Sequence, residues 1–209
     1  SMLVNQCKTK EMIVHFGKKT IDSVVPIAIN GVNIERVNNF KLLGVVFSSD
    51  LSWDNHVQYM LGKAAKRIYC ILYLVRARVN QADIVIVYCS LIRSILEYAC
   101  PVWHPGLSKK QSSDIEKVQK RCLKLIYPTL SYNEALKEAH LETLSDRREK
   151  QTQKLFQEMK RPDHPLHELL PLRDEGTRTT RVTYPYLIPV AKPTRYGRGF
   201  IPYCISRRY

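Results

Sequence analysis

The residue types that carry out chemistry are present in this 209-residue chain, but not at the spacings chemistry requires. Adjacent aspartates would mark a two-metal carboxylate cluster, and no Asp-Asp pair occurs. G-x-S-x-G, H-E-x-x-H, a Walker loop and G-x-G-x-x-G are all missing, and Gly197-Arg198-Gly199 is too short to wrap a phosphate. Of the six histidines only His164 and His167 are close neighbours, and beside prolines in a loop they read as surface residues. Cys100 and His104 lie four apart, but Pro101 interrupts the helix that would align them on a zinc ion. The six cysteines form no C-x-x-C pair. Cys70, Cys89, Cys100 and Cys122 stand among apolar residues at helical spacing, as small buried side chains of a reducing compartment do. No catalytic residue, metal ligand or cofactor is assigned.

What does recur is positive charge. Lys117, Lys120, Arg121 and Lys124 are spaced i, i+3, i+4, i+7, which places them on one helix face about two turns long. Lys63, Lys66 and Arg67 form a second patch. Such stripes can follow phosphates, and the whole chain carries 33 Lys and Arg against 19 Asp and Glu, a formal charge of +14. Two readings remain open from composition: a nucleic-acid-binding surface, or exposed helix faces that are merely solvated.

These residues need elements to hold them. At the centre stands Ala82 to Trp103, apolar around most of a helical cylinder except for a stripe of Asp83, Ser90, Arg93, Ser94 and Glu97. It reads as a buried helix with neighbours on several sides, begun by Asn80 and Asp83 in a capping box and ended by Pro101. Arg93 and Glu97 pair at i, i+4 and argue against a membrane span. Before it, Glu11–Phe16, Ile27–Ile29, Val32–Val37 and Phe40–Phe47 have strand composition. Asn30-Gly31 marks a type I′ hairpin turn, and Gly44 lies within the last strand. From Asp54, the residues Val57, Met60, Leu61, Ala64, Ala65, Ile68, Ile71, Leu72 and Val75 share one helix face. Capping boxes at Ser108–Gln111, Ser131–Glu134 and Thr143–Asp146 open three further helices, ending near Tyr127, Ala139 and Lys160. Beyond Arg161, frequent prolines predict a partly ordered, extended tail. The fold class expected is α+β, divided as a short antiparallel β segment at 1–50, a helical domain at 51–160 and a Pro/Arg-rich, partly extended tail at 161–209. The first fifteen residues contain no signal-peptide h-region, which suggests a cytoplasmic or nuclear protein.

The motifs in order resemble the distal part of the reverse transcriptase of LINE-type (non-LTR) retrotransposons, the jockey-like and chicken-repeat-like group. Lys8-Thr9-Lys10-Glu11-Met12 is similar to the segment ending the palm's fourth conserved block. Phe40-Lys41-Leu42-Leu43-Gly44-Val45 resembles the primer-grip hairpin, with Leu42 where the family has an aromatic. Ser90 to Pro105, SLIRSILEYACPVWHP, is similar to the thumb-helix signature, and Ile115 to Ile126 resembles the next thumb helix. Leu144 to Arg148 and Phe200 to Ile205 are similar to the region after the thumb.

The resemblance implies an RNA-directed DNA polymerase as parent, with Mg²⁺ held by palm aspartates that would lie before residue 1. It implies a palm remnant with a primer-grip-like hairpin (Phe40, Lys41, Leu42, Leu43, Gly44), a thumb-like bundle, and Lys8 or Lys10 near an incoming nucleotide in the parent enzyme. The expected partners are RNA, DNA or an RNA–DNA duplex, together with the palm domain of the parent polyprotein, and neither a membrane nor a small-molecule substrate. The chain is not expected to polymerise alone. The alternatives are a non-catalytic interaction module recruited from the element, or an inert product of a decayed one.

Overall fold

The computed structural model describes residues 4–15, 24–172, 186 and 197–209. The chain falls into two compact units, Ser1–Tyr59 and Met60–Tyr209. It is a mixed α+β structure in which short strands and hairpins come first and helices dominate thereafter.

The first unit is built from strand pairs. β1 (Lys10–Glu11) pairs with β4 (Glu35–Arg36), β2 (Ala28–Ile29) with β3 (Val32–Asn33), and β5 (Asn39–Leu42) with β6 (Val45–Ser48). The β2–β3 turn has positive φ at both Asn30 and Gly31, as a type I′ turn requires. Two expectations need correction. The β1–β4 pair is parallel, not antiparallel. It is held by Glu11, whose Oε1 accepts from Arg36 Nε (3.2 Å) and Nη2 (2.8 Å) and whose Oε2 accepts from the Ile27 amide (3.0 Å). Phe40–Phe47 is not one strand with a glycine bulge but a hairpin, because Leu43 (φ 47°) and Gly44 (φ 88°) both turn left-handed. Of the strand expected at Glu11–Phe16, only Glu11 pairs; Phe16 lies outside the described residues. Behind the β5–β6 hairpin Val45 and His56 are buried, and the Trp53 ring meets Phe47 at 5.8 Å between centroids.

α1 (Asp54–Arg76) buries Val57, Met60, Ala64, Ile68 and Ile71 along one face, while Ala65 is exposed. The central apolar run is not a single helix. It comprises α2 (Gln81–Tyr88), a π turn over Cys89–Arg93, α3 (Ser94–Glu97) and α4 (Cys100–Trp103). The break comes at Ala99, which turns left-handed (φ 50°); Pro101 does not end a helix but occupies the first turn of α4, where its missing N–H costs nothing. Asn80 does cap α2, accepting from the Ala82 amide at 2.8 Å. Tyr88, Ile92, Leu96, Cys100 and Trp103 are fully buried and line the core of the second unit. The run Gln81–Gly106 is long and apolar enough to cross a membrane by composition, yet these five side chains are taken up by the protein's own core. Neighbours cover only part of the circumference: Ile86, Leu91, Tyr98 and Val102 face solvent.

The remaining helices begin where their caps place them. α5 (Lys109–Ile126) opens with a complete Ser108–Gln111 capping box and α6 (Tyr132–Glu138) with a complete Ser131–Glu134 box. α7 (Leu144–Met159) opens on Thr143, whose hydroxyl accepts from the Asp146 amide at 3.1 Å. The described end of the tail is not extended. α8 (Phe200–Ser206) packs on α7, and Cys204, Ile205 and Tyr186 form a cluster with Phe156.

Candidate nucleic-acid interface

α5 is a two-faced rod. Ile115, Cys122, Leu123 and Ile126 are buried on its inner face. Lys117, Lys120, Arg121 and Lys124 are all exposed on the other. The structure adds a fifth cation that sequence spacing did not single out: Lys110, seven residues before Lys117 and therefore on the same face, is exposed as well. The stripe from Lys110 to Lys124 is about 21 Å long at 1.5 Å per residue. The acid on this face is Asp114, whose Oδ1 accepts from Lys117 Nζ at 2.7 Å, and that lysine holds its carboxyl below the usual range; Glu116, four residues before Lys120, stands at the edge of the stripe and is turned inward. Lys120 sits 5.0 Å over the Tyr132 ring, and Lys124 donates to the Pro128 carbonyl at 2.7 Å.

A buried polar network beneath the stripe fixes its orientation. Gln119 lies fully buried on the inner face, where apolar periodicity gave no hint of it. Its Oε1 accepts from Tyr88 Oη (2.6 Å), and its Nε2 donates to Tyr132 Oη (2.9 Å) and the Glu142 carbonyl (3.0 Å). Glu116 Oε1 accepts from the Tyr132 hydroxyl and the Leu144 amide. One glutamine thus ties α5 to α2, α6 and the entry of α7. Burial raises the Tyr88 and Tyr132 hydroxyls well above the ordinary tyrosine value, so both remain donors. The Cys122 thiol is likewise pushed up to about 12 by burial, as are those of Cys100 and Cys204. These are core side chains, not nucleophiles. Cys70, expected among the buried ones, is exposed.

Arg148 and Thr152 are also buried polar residues of this unit, and Arg148 is the charged one. Its Nη2 donates to Ser112 Oγ at 3.0 Å and its guanidinium lies 5.9 Å over Trp103, but Nε and Nη1 have no partner among the described residues. Burial lowers its pKa, opposed by the Glu116 charge. Next to it, Glu149 Oε2 accepts from Tyr203 Oη and meets His104 Nε2, both at 2.7 Å, which fastens α8 to α7 and α4.

The second expected patch divides. Lys63 and Lys66 are exposed on α1, whereas Arg67 is half-buried and donates through Nη1 to the Leu91 carbonyl at 2.8 Å. That bond ties α1 to the π turn, so Arg67 acts as a strut. In the first unit, the primer-grip-like residues form the β5–β6 hairpin, with Phe40, Lys41, Leu42 and Leu43 exposed around the turn at Leu43-Gly44. Lys41 Nζ donates to Tyr59 Oη at 2.7 Å. Lys10 is engaged by Glu35, and Lys8 is exposed in a short 3-10 turn. Among the described residues no three His, Cys, Asp or Glu side chains gather as metal ligands would. No protein-family model matches the chain, and no curated protein or solved structure matches it either.

Proposed function

We propose that this chain binds duplex nucleic acid through the cationic face of α5, as a thumb-like module of a LINE-type reverse transcriptase would hold template and primer. One observation carries the reading. Lys110, Lys117, Lys120, Arg121 and Lys124 share one exposed face, with Asp114 on it and Glu116 at its edge turned inward to Tyr132 and the Leu144 amide. Stability alone does not favour this arrangement. Lys117–Arg121 and Lys120–Lys124 are like-charge pairs at i, i+4, and each costs a few tenths of a kcal/mol. Lys109 and Lys110 occupy the first turn, which has no acidic residue, at the positive end of the helix dipole. An ordinary solvated face interleaves signs; this one concentrates one sign, as a polyanion-binding face does. A duplex presents one phosphate per about 1.7 Å of axis, so every cation of the stripe has one in reach.

The test is salt dependence. Fluorescence anisotropy with a short RNA–DNA duplex is measured across a salt series for the protein and for a variant with Lys117, Lys120, Arg121 and Lys124 changed to Glu. The slope of log K against log salt should fall by roughly 3, similarly for unrelated sequences, because each phosphate contact contributes about 0.9 and phosphates carry no base information. Reversal of four tail cations, Arg173, Arg178, Arg181 and Lys192, which lie outside the described residues, is the control. If those reversals weaken duplex binding as much as the α5 set, the α5 reading is wrong. A second reading, a protein-interaction module, is favoured by an apolar groove of about 510 Å³ lined by Val102, Leu155, Met159, Leu169, Phe200 and Ile201 among others. A partner held there would stay bound at salt concentrations that strip a nucleic acid.

A further inference from the structure

A second cationic surface belongs to the same unit. On α1, Gly62, Lys66, Tyr69 and Tyr73 follow one another at i, i+4, i+7 and i+11, one exposed stripe along the helix. Tyr69 is 66% and Tyr73 62% exposed, in a helix whose opposite face is buried. Single exposed tyrosines are ordinary; two on adjacent turns of one face, with cations around them, are not. Lys63 and Arg76 flank the stripe, and after Asp54 the helix contains no acidic residue. Gly62 adds an independent observation. A Cβ there would meet nothing within 4 Å, so no packing demand explains a residue that weakens a helix interior. What the glycine does provide is bare backbone on the face that carries the tyrosines.

We infer that this face of α1 binds unpaired nucleic acid, with Tyr69 and Tyr73 as stacking platforms for successive bases and Lys66, with its cationic neighbours, on the phosphates. The inference rests on the nucleic-acid reading above and extends it to a second class of ligand. Charge and geometry identify the occupant. An aromatic, cationic surface without acids complements a polyanion that offers π faces. Rings four residues apart are separated by about 6 Å along the helix axis. A helical strand advances only about 3.4 Å per nucleotide, so neighbouring bases reach both rings only when the strand is unstacked and drawn out. Gly62 lets that strand lie close against the helix.

The experiment compares three labelled probes: a 12-nucleotide oligouridylate, an abasic strand of the same length, and a 12-base-pair duplex. Tyr69→Ala with Tyr73→Ala should lower oligouridylate affinity by about tenfold or more, in line with the loss of base stacking. Duplex affinity should stay within about twofold. The abasic strand should bind the protein and the variant alike. Tyr69→Phe with Tyr73→Phe keeps the rings and should keep the affinity, and circular dichroism should show all variants equally helical. Equal losses on oligouridylate and duplex, or no loss on either, would overturn the inference. So would a dimer that the alanine variant converts to monomer, since a second copy would then cover the face. If the α5 reversals weaken duplex binding while oligouridylate ignores the tyrosines, this inference alone fails. If neither probe binds the unaltered protein, the nucleic-acid reading falls with it.

Discussion

Arg147, near the start of α7, takes both oxygens of Glu97, through Nε at 2.5 Å and Nη2 at 3.0 Å, while Arg93 stays 4.0 Å away on Glu97's own helical run. Sequence spacing pairs Glu97 with Arg93, because i, i+4 is the only partner a helix by itself can offer. The tertiary fold brings a better one from fifty residues away. Arg147→Leu leaves a carboxylate whose side chain is only 11% exposed and should cost about 2 kcal/mol. Arg93→Leu should cost under about 0.5 kcal/mol. Urea midpoints at unchanged slope decide this, and the reverse order would mean that Arg93 is the true partner. Two histidines set a pH dependence. His56 is buried and His104 half-buried, and desolvation lowers both pKa values; for His104 the hydrogen bond to Glu149 opposes the shift without cancelling it. A depressed value in the folded state means that the unfolded chain binds more protons below its own pKa of about 6.5. Stability is therefore complete above about pH 6.5 and declines as the pH falls through the depressed folded values. His104→Gln should flatten that decline between about pH 6.5 and 5 in urea titrations, and an unchanged slope would show that His104 does not titrate as its burial requires.

The two hairpins of the first unit make the same turn with different residues. Asn30-Gly31 uses the residue that tolerates the left-handed region, whereas Leu43-Gly44 places a leucine there, 84% exposed. Leu43→Asn should stabilise the β5–β6 hairpin by about 1 kcal/mol, read from thermal unfolding of the first unit. A loss would mean that the leucine makes contacts worth more than its strain. This pair also shows what was legible in the sequence. Asn-Gly announces its turn, while Leu-Gly reads as an apolar strand because nothing in the leucine signals φ > 0. Helix starts were legible wherever a hydroxyl and a Glu or Gln stand three apart, since the cap is a local hydrogen bond. The break at Ala99 was not: an alanine carries no local signal for a positive φ, and Pro101 two residues on drew the boundary to itself. The cationic stripe of α5 was legible because its periodicity is local. Gln119, Arg148 and the Arg147–Glu97 pair were hidden because their meaning depends on residues more than twenty positions away.

At the scale of the whole chain, the two units differ in how much they bury. The second unit buries many apolar side chains, among them Tyr88, Ile92, Leu96, Trp103, Ile115, Leu123, Leu144 and Phe156. Among the described residues of the first unit, the buried apolar side chains are Ile34, Val45 and Val57, and each described sheet has two strands. Two-stranded sheets are marginal in water, and local opening free energies follow buried contacts. Amides of residues 28–48 should therefore exchange faster than those of residues 84–96. The two tryptophans give an equilibrium test of the same difference. Trp53 lies against Phe47 in the first unit, and Trp103 is fully buried in the second, donating through Nε1 to the Tyr98 carbonyl at 2.9 Å. Trp53→Phe and Trp103→Phe each leave a single reporter, compared at equal ionic strength with circular dichroism recorded in parallel. The Trp53 signal should change at lower urea than the Trp103 signal, with the helical ellipticity following Trp103. Non-coincident transitions of this kind mark departure from two-state behaviour. Coincident transitions would mean that the strand pairs draw their stability from the same cooperative unit as the helices, despite the small core they bury among themselves.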